Sequence, residues 1–243
     1  MKQLFAIILV FSTFIFASSC GGEDNDIDPP IPTKGIIKGS VNLYDEGTEK
    51  IAAAGMKVSV EGTSISALTN SEGNFELIDV PFGSRTLIYE KEDYGTYKYF
   101  IPEYDDNLVI NISPSLGKKS KTKIITGAAT VDGTAVKVSY VTEGTNTSDR
   151  YMRYFLGNDQ TVTSENYTAV SEIFYSDANN NPAQHIFTQQ DMIDLGFSSG
   201  SQVYVKAYGE SFWANDYEDP DLNKRIFPNL NENSSEPVVF MVP

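Results

Sequence analysis

From Gly35 onward apolar and polar residues alternate in short runs. Ile37, Gly39, Val41 and Leu43 interleave with Lys38, Ser40, Asn42 and Tyr44, and Met56, Val58 and Val60 alternate again. A period of two is that of a strand with one buried and one solvated face. Turn-forming groups punctuate the runs at Asp45-Glu46-Gly47-Thr48, Glu61-Gly62-Thr63, Asn70-Ser71-Glu72-Gly73 and Val80-Pro81-Phe82-Gly83. Ser64 to Thr69, Arg85 to Tyr89 and Leu108 to Ile112 add further short strands. Such regular spacing predicts a small antiparallel sandwich over residues 34–113.

Residues 114–121, Pro-Ser-Leu-Gly-Lys-Lys-Ser-Lys, are small, polar and locally basic, which predicts a protease-accessible linker. Beyond it Ala135 to Val141, Tyr151 to Leu156, Val203 to Tyr208 and Val238 to Val242 read as strands of a second sandwich over 122–243. Thr188-Gln189-Gln190-Asp191 has capping-box spacing, and Gly196 can close the turn, so one short helical turn is expected there. The fold class is therefore all-β, two tandem antiparallel β-sandwiches.

The first module resembles the carboxypeptidase regulatory-like family, a transthyretin-like sandwich. The family pattern falls on Gly39 and Val41, then Gly55, Val58, Val60, Gly62 and Thr63, then Thr69, Gly73 and Phe75, then Val80 and Gly83. That resemblance implies a fold and no catalytic role. Some relatives carry a Lys–Asn isopeptide bond, but Lys38 and Glu76 are out of phase with the buried positions and are expected to face solvent. The end of the second module resembles a fibronectin type III-like sandwich on Phe197, Ser199, Gly200, Ser201, Val203, Val205 and Ala207, with Ser235 and Pro237 before the last strand. Val203 stands where that family has its corner tyrosine, and an immunoglobulin-like topology stays open.

The front of the chain is of another kind. One positive charge at Lys2 precedes an apolar run from Leu4 to Phe16, too short to span a bilayer and suited to a secretory signal. Ala17-Ser18-Ser19-Cys20 follows, and Cys20 is the one cysteine of the chain. This resembles the lipobox of bacterial lipoproteins, which implies a signal peptide over 1–19, cleavage before Cys20 and acylation of its thiol. Residues 20–33 are rich in glycine, proline and acid and read as a flexible tether. An acidic run behind the cysteine resembles the surface-export signal of Bacteroidota lipoproteins. The expected location is the outer membrane, lipid-anchored and facing outward.

Charge narrows the partners. With 18 Lys and Arg against 33 Asp and Glu, the net charge of −15 argues against nucleic acid and against an electrostatic hold on anionic lipid. A single histidine, His185, rules out a His-rich zinc site and leaves no Cys-His pair; a surface or strand-end position is expected for it. No Gly-x-Ser-x-Gly elbow is present. Asp177 to Asn181 carries half of a calcium-loop pattern, but Pro182 replaces the turn glycine and Thr188 the closing acid, so an Asx-rich turn is expected, as for Asp216, Glu218, Asp219 and Asp221. No metal, cofactor or catalytic residue is assigned, and the chain reads as a non-enzyme.

The candidate ligand site is the loop holding Phe212, Trp213, Asp216 and Tyr217, between the last two predicted strands. Aromatic faces stack on sugar rings and carboxylates accept hydroxyl hydrogen bonds; the same rings could instead cover the end of the core. Tandem modules of these kinds behind a lipidated cysteine also resemble lipoproteins of Bacteroidota glycan-uptake systems. The functional expectation is a surface binding or accessory component of glycan capture, with a polysaccharide or an outer-membrane transporter as partner. The alternative is a structural or adhesive component contacting another surface protein. Cys20→Ser is expected to abolish acylation and release the protein from membranes, and detergent partitioning of the variant checks it.

Overall fold

The computed structural model describes residues 33–106, 111–143, 149–177 and 180–243. The signal peptide, Cys20 and the tether through residue 32 lie outside the described residues. Ten strands occupy the first part of the chain: β1 (Lys34–Ser40), β2 (Asn42–Tyr44), β3 (Lys50–Ile51), β4 (Lys57–Val60), β5 (Ser66–Leu68), β6 (Asn74–Pro81), β7 (Arg85–Glu90), β8 (Tyr97–Ile101), β9 (Asn111–Ile112) and β10 (Ser115–Gly117). One antiparallel sheet runs β5-β4-β7-β8. The facing layer is built on β1 and β2, a single run interrupted at Val41. There β1 pairs with β6 and β9, and β2 pairs with β3 and β10. The interruption has a cause: Val41 donates to Gly73 O at 3.0 Å and Asn42 to Pro114 O at 2.9 Å, so the strand changes partners mid-course.

Ile37, Leu43, Leu77 and Val80 from one layer meet Val58, Val60, Leu87 and Tyr89 from the other in one dry core. The alternation of the sequence is thus the alternation of the core. Lys38 and Glu76 face solvent as expected, within 3.4 Å of each other. One expectation needs correction. The layers are not wholly antiparallel, because β9 and β10 run parallel to β1 and β2. A parallel neighbour needs a crossover longer than a tight turn, and β2 to β8 lie between β1 and β9 in the chain.

The second part contains β11 (Ile124–Asp132), β12 (Ala135–Thr142), β13 (Arg150–Gly157), β14 (Ala169–Val170), β15 (Phe174–Ser176), β16 (Ala183–Thr188), the helix α1 (Gln189–Asp194), β17 (Gln202–Glu210), β18 (Tyr217–Asp219), β19 (Lys224–Ile226) and β20 (Val238–Met241). A three-stranded sheet β11-β12-β16 packs against β14-β13-β17-β20, with β15 also paired to β13. Val136, Val138 and Tyr140 of the first meet Met152, Tyr154, Leu156, Val203 and Val205 of the second. The capping box forms as read: Thr188 accepts from the Asp191 N–H, and the Asp191 side chain accepts from the Thr188 N–H. β13 is buried at every residue because both its faces are covered. Its outer face carries Phe155 into a separate cluster with Val162, Tyr208 and Phe227.

Residues 114–121 do not form the exposed linker that their composition suggests. β10 is a strand of the first sandwich, Leu116, Gly117 and Ser120 are buried, and Ser120 N donates to Asn229 O at 2.8 Å. A protease needs an extended, accessible stretch, and this one is held on both sides. The described residues form one compact unit.

Candidate functional site

The segment after β17, residues 211–237, reaches the first sandwich through residues 212–229 and returns to β17, where Asn231 N and Ser235 N donate to Gly209 O and Ala207 O. Asn215 and Asn229 do most of the joining. Gly117 N donates to Asn215 Oδ1 at 2.8 Å, while Asn215 Nδ2 and Asn229 Nδ2 donate to Gly117 O at 2.9 and 3.0 Å. Asn215 Nδ2 also reaches Asn229 Oδ1 at 2.9 Å, and Gly95 N donates to that same oxygen at 3.2 Å. Both glycines are required by space: a Cβ on Gly117 would stand 2.5 Å from Trp213 O, and one on Gly95 would stand 2.3 Å from Pro228 O. The joint is extended by Phe212 N donating to Glu46 O at 2.9 Å, by Lys121 N donating to Glu46 Oε2 at 2.8 Å, and by Ser211 Oγ donating to Lys118 O.

Beside the amides lies a buried group of charges. Arg153 on β13 is 3% exposed, and its Nε is 3.3 Å from the wholly buried Glu210 on β17. Asp216 stands 3.6 Å from Arg153 and pairs with Arg225 as well. Phe227 lies under both guanidinium groups, 5.0 Å from that of Arg153 and 5.4 Å from that of Arg225. Burial pushes the Glu210 carboxyl up to about 8, opposed by the charge of Arg153 and the Ser211 N–H.

A row of rings crosses the joint. Tyr175 lies 6.1 Å from Tyr151, Tyr151 lies 5.6 Å from Phe212, Phe212 lies 5.3 Å from Trp213, and Trp213 stacks on Tyr44 at 4.8 Å. Tyr151 also borders an open cleft of about 860 Å³ between the 45–49 turn of the first sandwich and Lys118, residues 121–123, Glu143 and residues 149–151. Phe212 and Tyr175 are the row's exposed rings.

The four residues singled out from the sequence are therefore brought to one junction and put to different uses there. Trp213 is half-buried against Tyr44, and its Nε1 is covered without an acceptor. Asp216 is held by two arginines, and Tyr217 packs at 6.0 Å from both Tyr97 and Phe100 of the first sandwich. Phe212 keeps an open face. The neighbouring acids are engaged too: Asp219 Oδ1 accepts from the N–H groups of Asp221 and Leu222 to close the β18–β19 turn. At the other oxygen-rich turn Asp177 Oδ1 accepts from Asn180 N at 2.9 Å, and residues 178–179 lie outside the described residues. Among the described residues no cluster of three His, Cys, Asp or Glu side chains is placed to hold a metal ion. His185 is not at a strand end and is only partly at the surface. It sits within β16, half-buried between Phe174 at 4.2 Å and Phe187 at 4.3 Å, and burial lowers its pKa. The residues missed in the sequence are Tyr44, Tyr151, Asn215 and Asn229; each lies in a run where nothing local marks a long-range contact.

No protein-family model and no curated protein matches the chain. Among solved structures, a Bacteroides uniformis protein with the provisional name of a carbohydrate binding protein is 12% identical over 86% of this chain and 100% of its own, at a TM-score of 0.32. A DUF3823 family protein from Bacteroides ovatus is 9% identical over 86% of this chain and 100% of that one, at 0.31. A type II cohesin–X-dockerin complex from Acetivibrio cellulolyticus is 23% identical over 35% of this chain, which spans 59% of the matched chain, at 0.29. At such TM-scores these neighbours define neither the fold nor the ligand of this chain.

Two measurements follow from the joint. Because the folded Glu210 holds its proton to about pH 8 and an unfolded glutamate releases it near 4.5, the folded state binds the extra proton between those values. Its stabilising effect is full below the lower value and is lost as pH rises through the upper one. Denaturant unfolding is expected to show stability falling across that window and a flatter profile in Glu210→Gln. Trp213→Ala is expected to cost about 3 kcal/mol of stability, and the native tryptophan emission to be blue-shifted. Red-shifted emission with unchanged stability in the variant would show the ring to be free.

Proposed function

We propose that the protein is a non-catalytic glycan-binding or accessory component, carried on the outer membrane by acyl chains on Cys20. The anchoring half of this reading rests on the lipobox-like Ala17-Ser18-Ser19-Cys20 run. The binding half rests on one observation: Phe212 is exposed with Tyr151 packed against its ring, and Tyr151 borders the wide cleft. A ring fixed at its back by neighbours and open at its front offers a sugar a flat apolar platform at little entropic cost. The cleft is open and polar, as suits a polymer lying across it rather than a small molecule enclosed by it.

Affinity electrophoresis against a panel of neutral and acidic polysaccharides tests the reading. Retardation by at least one polymer is expected, and Phe212→Ala is expected to weaken it by about 1 kcal/mol with thermal stability retained. Absence of retardation across the panel, together with a co-purifying surface protein, would replace the reading with that of an adhesive or structural component.

A further inference from the structure

Phe212 is one of two exposed rings that rest on Tyr151. In the sheet, Tyr175 of β15 stands opposite Tyr151 on one side and Glu210 of β17 on the other. Met152, Tyr154 and Leu156 belong to the core, so Tyr151 and Tyr175 share the outer face of that sheet. Tyr175 meets Tyr151 from the β15 flank at 6.1 Å, and Phe212, two residues past Glu210, meets it from the β17 flank at 5.6 Å. The central ring is 7% exposed, whereas Tyr175 and Phe212 are 44% and 43% exposed. Both outer rings are fixed. The Tyr175 hydroxyl lies 3.0 Å from Asp149 Oδ1 and from Asp177 Oδ2. Phe212 is braced by Trp213 at 5.3 Å and by its own N–H on Glu46 O. Two flat platforms on one rigid support, a single buried ring apart, suit a chain of linked sugars better than a single sugar.

Charge narrows the class of sugar. A carboxylate accepts at several positions, so Asp149 and Asp177 can hold the Tyr175 hydroxyl and still take a hydroxyl of a sugar lying on that ring. The same two carboxylates repel an acidic sugar there. Arg150 donates to Asp177 O at 3.3 Å but is itself buried. The adjoining cleft includes Asp149 and Tyr151 and neither outer ring; five carboxylates and four cations line it, so it favours neither sign. On a chain whose net charge is −15, a long acidic polymer meets repulsion and a neutral one does not.

Resting on the glycan-binding reading, we infer that the ligand is a neutral polysaccharide chain crossing β13, with one sugar stacked on Phe212, another on Tyr175 and the sugar between them over Tyr151. Tyr175 is thus a second binding residue, on a different strand from the first. The row is open at both ends, so the chain is gripped along its length and not by a terminus.

Affinity electrophoresis of the full chain in nonionic detergent tests this, with hydroxyethylcellulose, arabinoxylan and galactomannan as neutral polymers and polygalacturonate and chitosan as charged ones. Retardation by at least one neutral polymer is expected, stronger than by either charged one. Tyr175→Ala and Phe212→Ala are each expected to weaken it about fivefold, and the double variant more than either. Tyr175→Phe, which keeps the ring without its hydroxyl, is expected to recover most of the loss. Should Tyr175→Ala fail to fold, Tyr175→Gln removes the flat face while keeping bulk. By calorimetry the hexasaccharide of the retarding polymer is expected to bind about tenfold or more tightly than its disaccharide. Retardation weakened by Phe212→Ala but unchanged in Tyr175→Ala, or strongest with a charged polymer, overturns the inference and leaves the glycan-binding reading standing. Retardation unchanged in both variants puts the sugar elsewhere and overturns it too. No retardation by any of the five polymers removes the inference and the glycan-binding reading together.

Discussion

The two carboxamides of Asn215 and Asn229 close on one peptide group, that of Gly117, and the rest of the junction depends on this closure. A backbone N–H and C=O buried between two packed layers must find partners, since an orphaned group costs about 1–3 kcal/mol. Here the partners come from a segment more than ninety positions away in sequence. Their placement sets how close the chains can approach, and the approach is so tight that only glycine fits at Gly117 and Gly95. Once that contact is made, Trp213 is carried onto Tyr44 and Tyr217 onto the face of β8. The cleft and the aromatic row are what this closure leaves at the edge of the joint.

The buried charges sit on the same segment and serve the same end by different physics. Arg153 and Glu210 face each other across β13 and β17, both buried, and below about pH 8 Glu210 keeps its proton and meets Arg153 as a hydrogen-bond acceptor. Burying the guanidinium adds little net stability, because desolvation opposes attraction, yet leaving it without partners would be strongly unfavourable. Its effect is selective: a segment that failed to bring Asp216 and Phe227 over Arg153 would leave that cation uncovered. The pair therefore discriminates against other paths for the 211–237 segment more than it adds to the stability of the right one.

Much of each sandwich was legible because burial on one face writes itself into alternate residues. β1, β4, β7, β12 and β17 follow that rule, and the Thr188–Asp191 capping box is a local device with a local signature. β16 was not legible: its inward positions are Ala183, the half-buried His185 and Phe187, while Ile186 faces solvent, so the hydrophobic signal is blurred. The parallel pairing of β9 and β10 depends on where a crossover returns, which no local pattern encodes. The candidate loop was found by its composition, yet its use was not. Trp213 and Tyr217 read as platform or as packing from the sequence, and their contacts are with the distant Tyr44, Tyr97 and Phe100. Arg150 and Arg153 lie three apart in the same strand; Arg153 is paired with Glu210, whereas Arg150 Nε and Nη1 have no acceptor.

The burial of residues 115–117 also bears on heredity. Tandem β-sandwiches are commonly exchanged as cassettes, cut at the connector and joined to new neighbours. In this chain the connector is a strand of one sandwich and the docking peptide of the other, so a cut there would strip β2 of its partner and bare Asn215, Asn229 and Trp213 at once. Neither half could be traded without a matched change in its companion. The two sandwiches thus stand or fall as one piece.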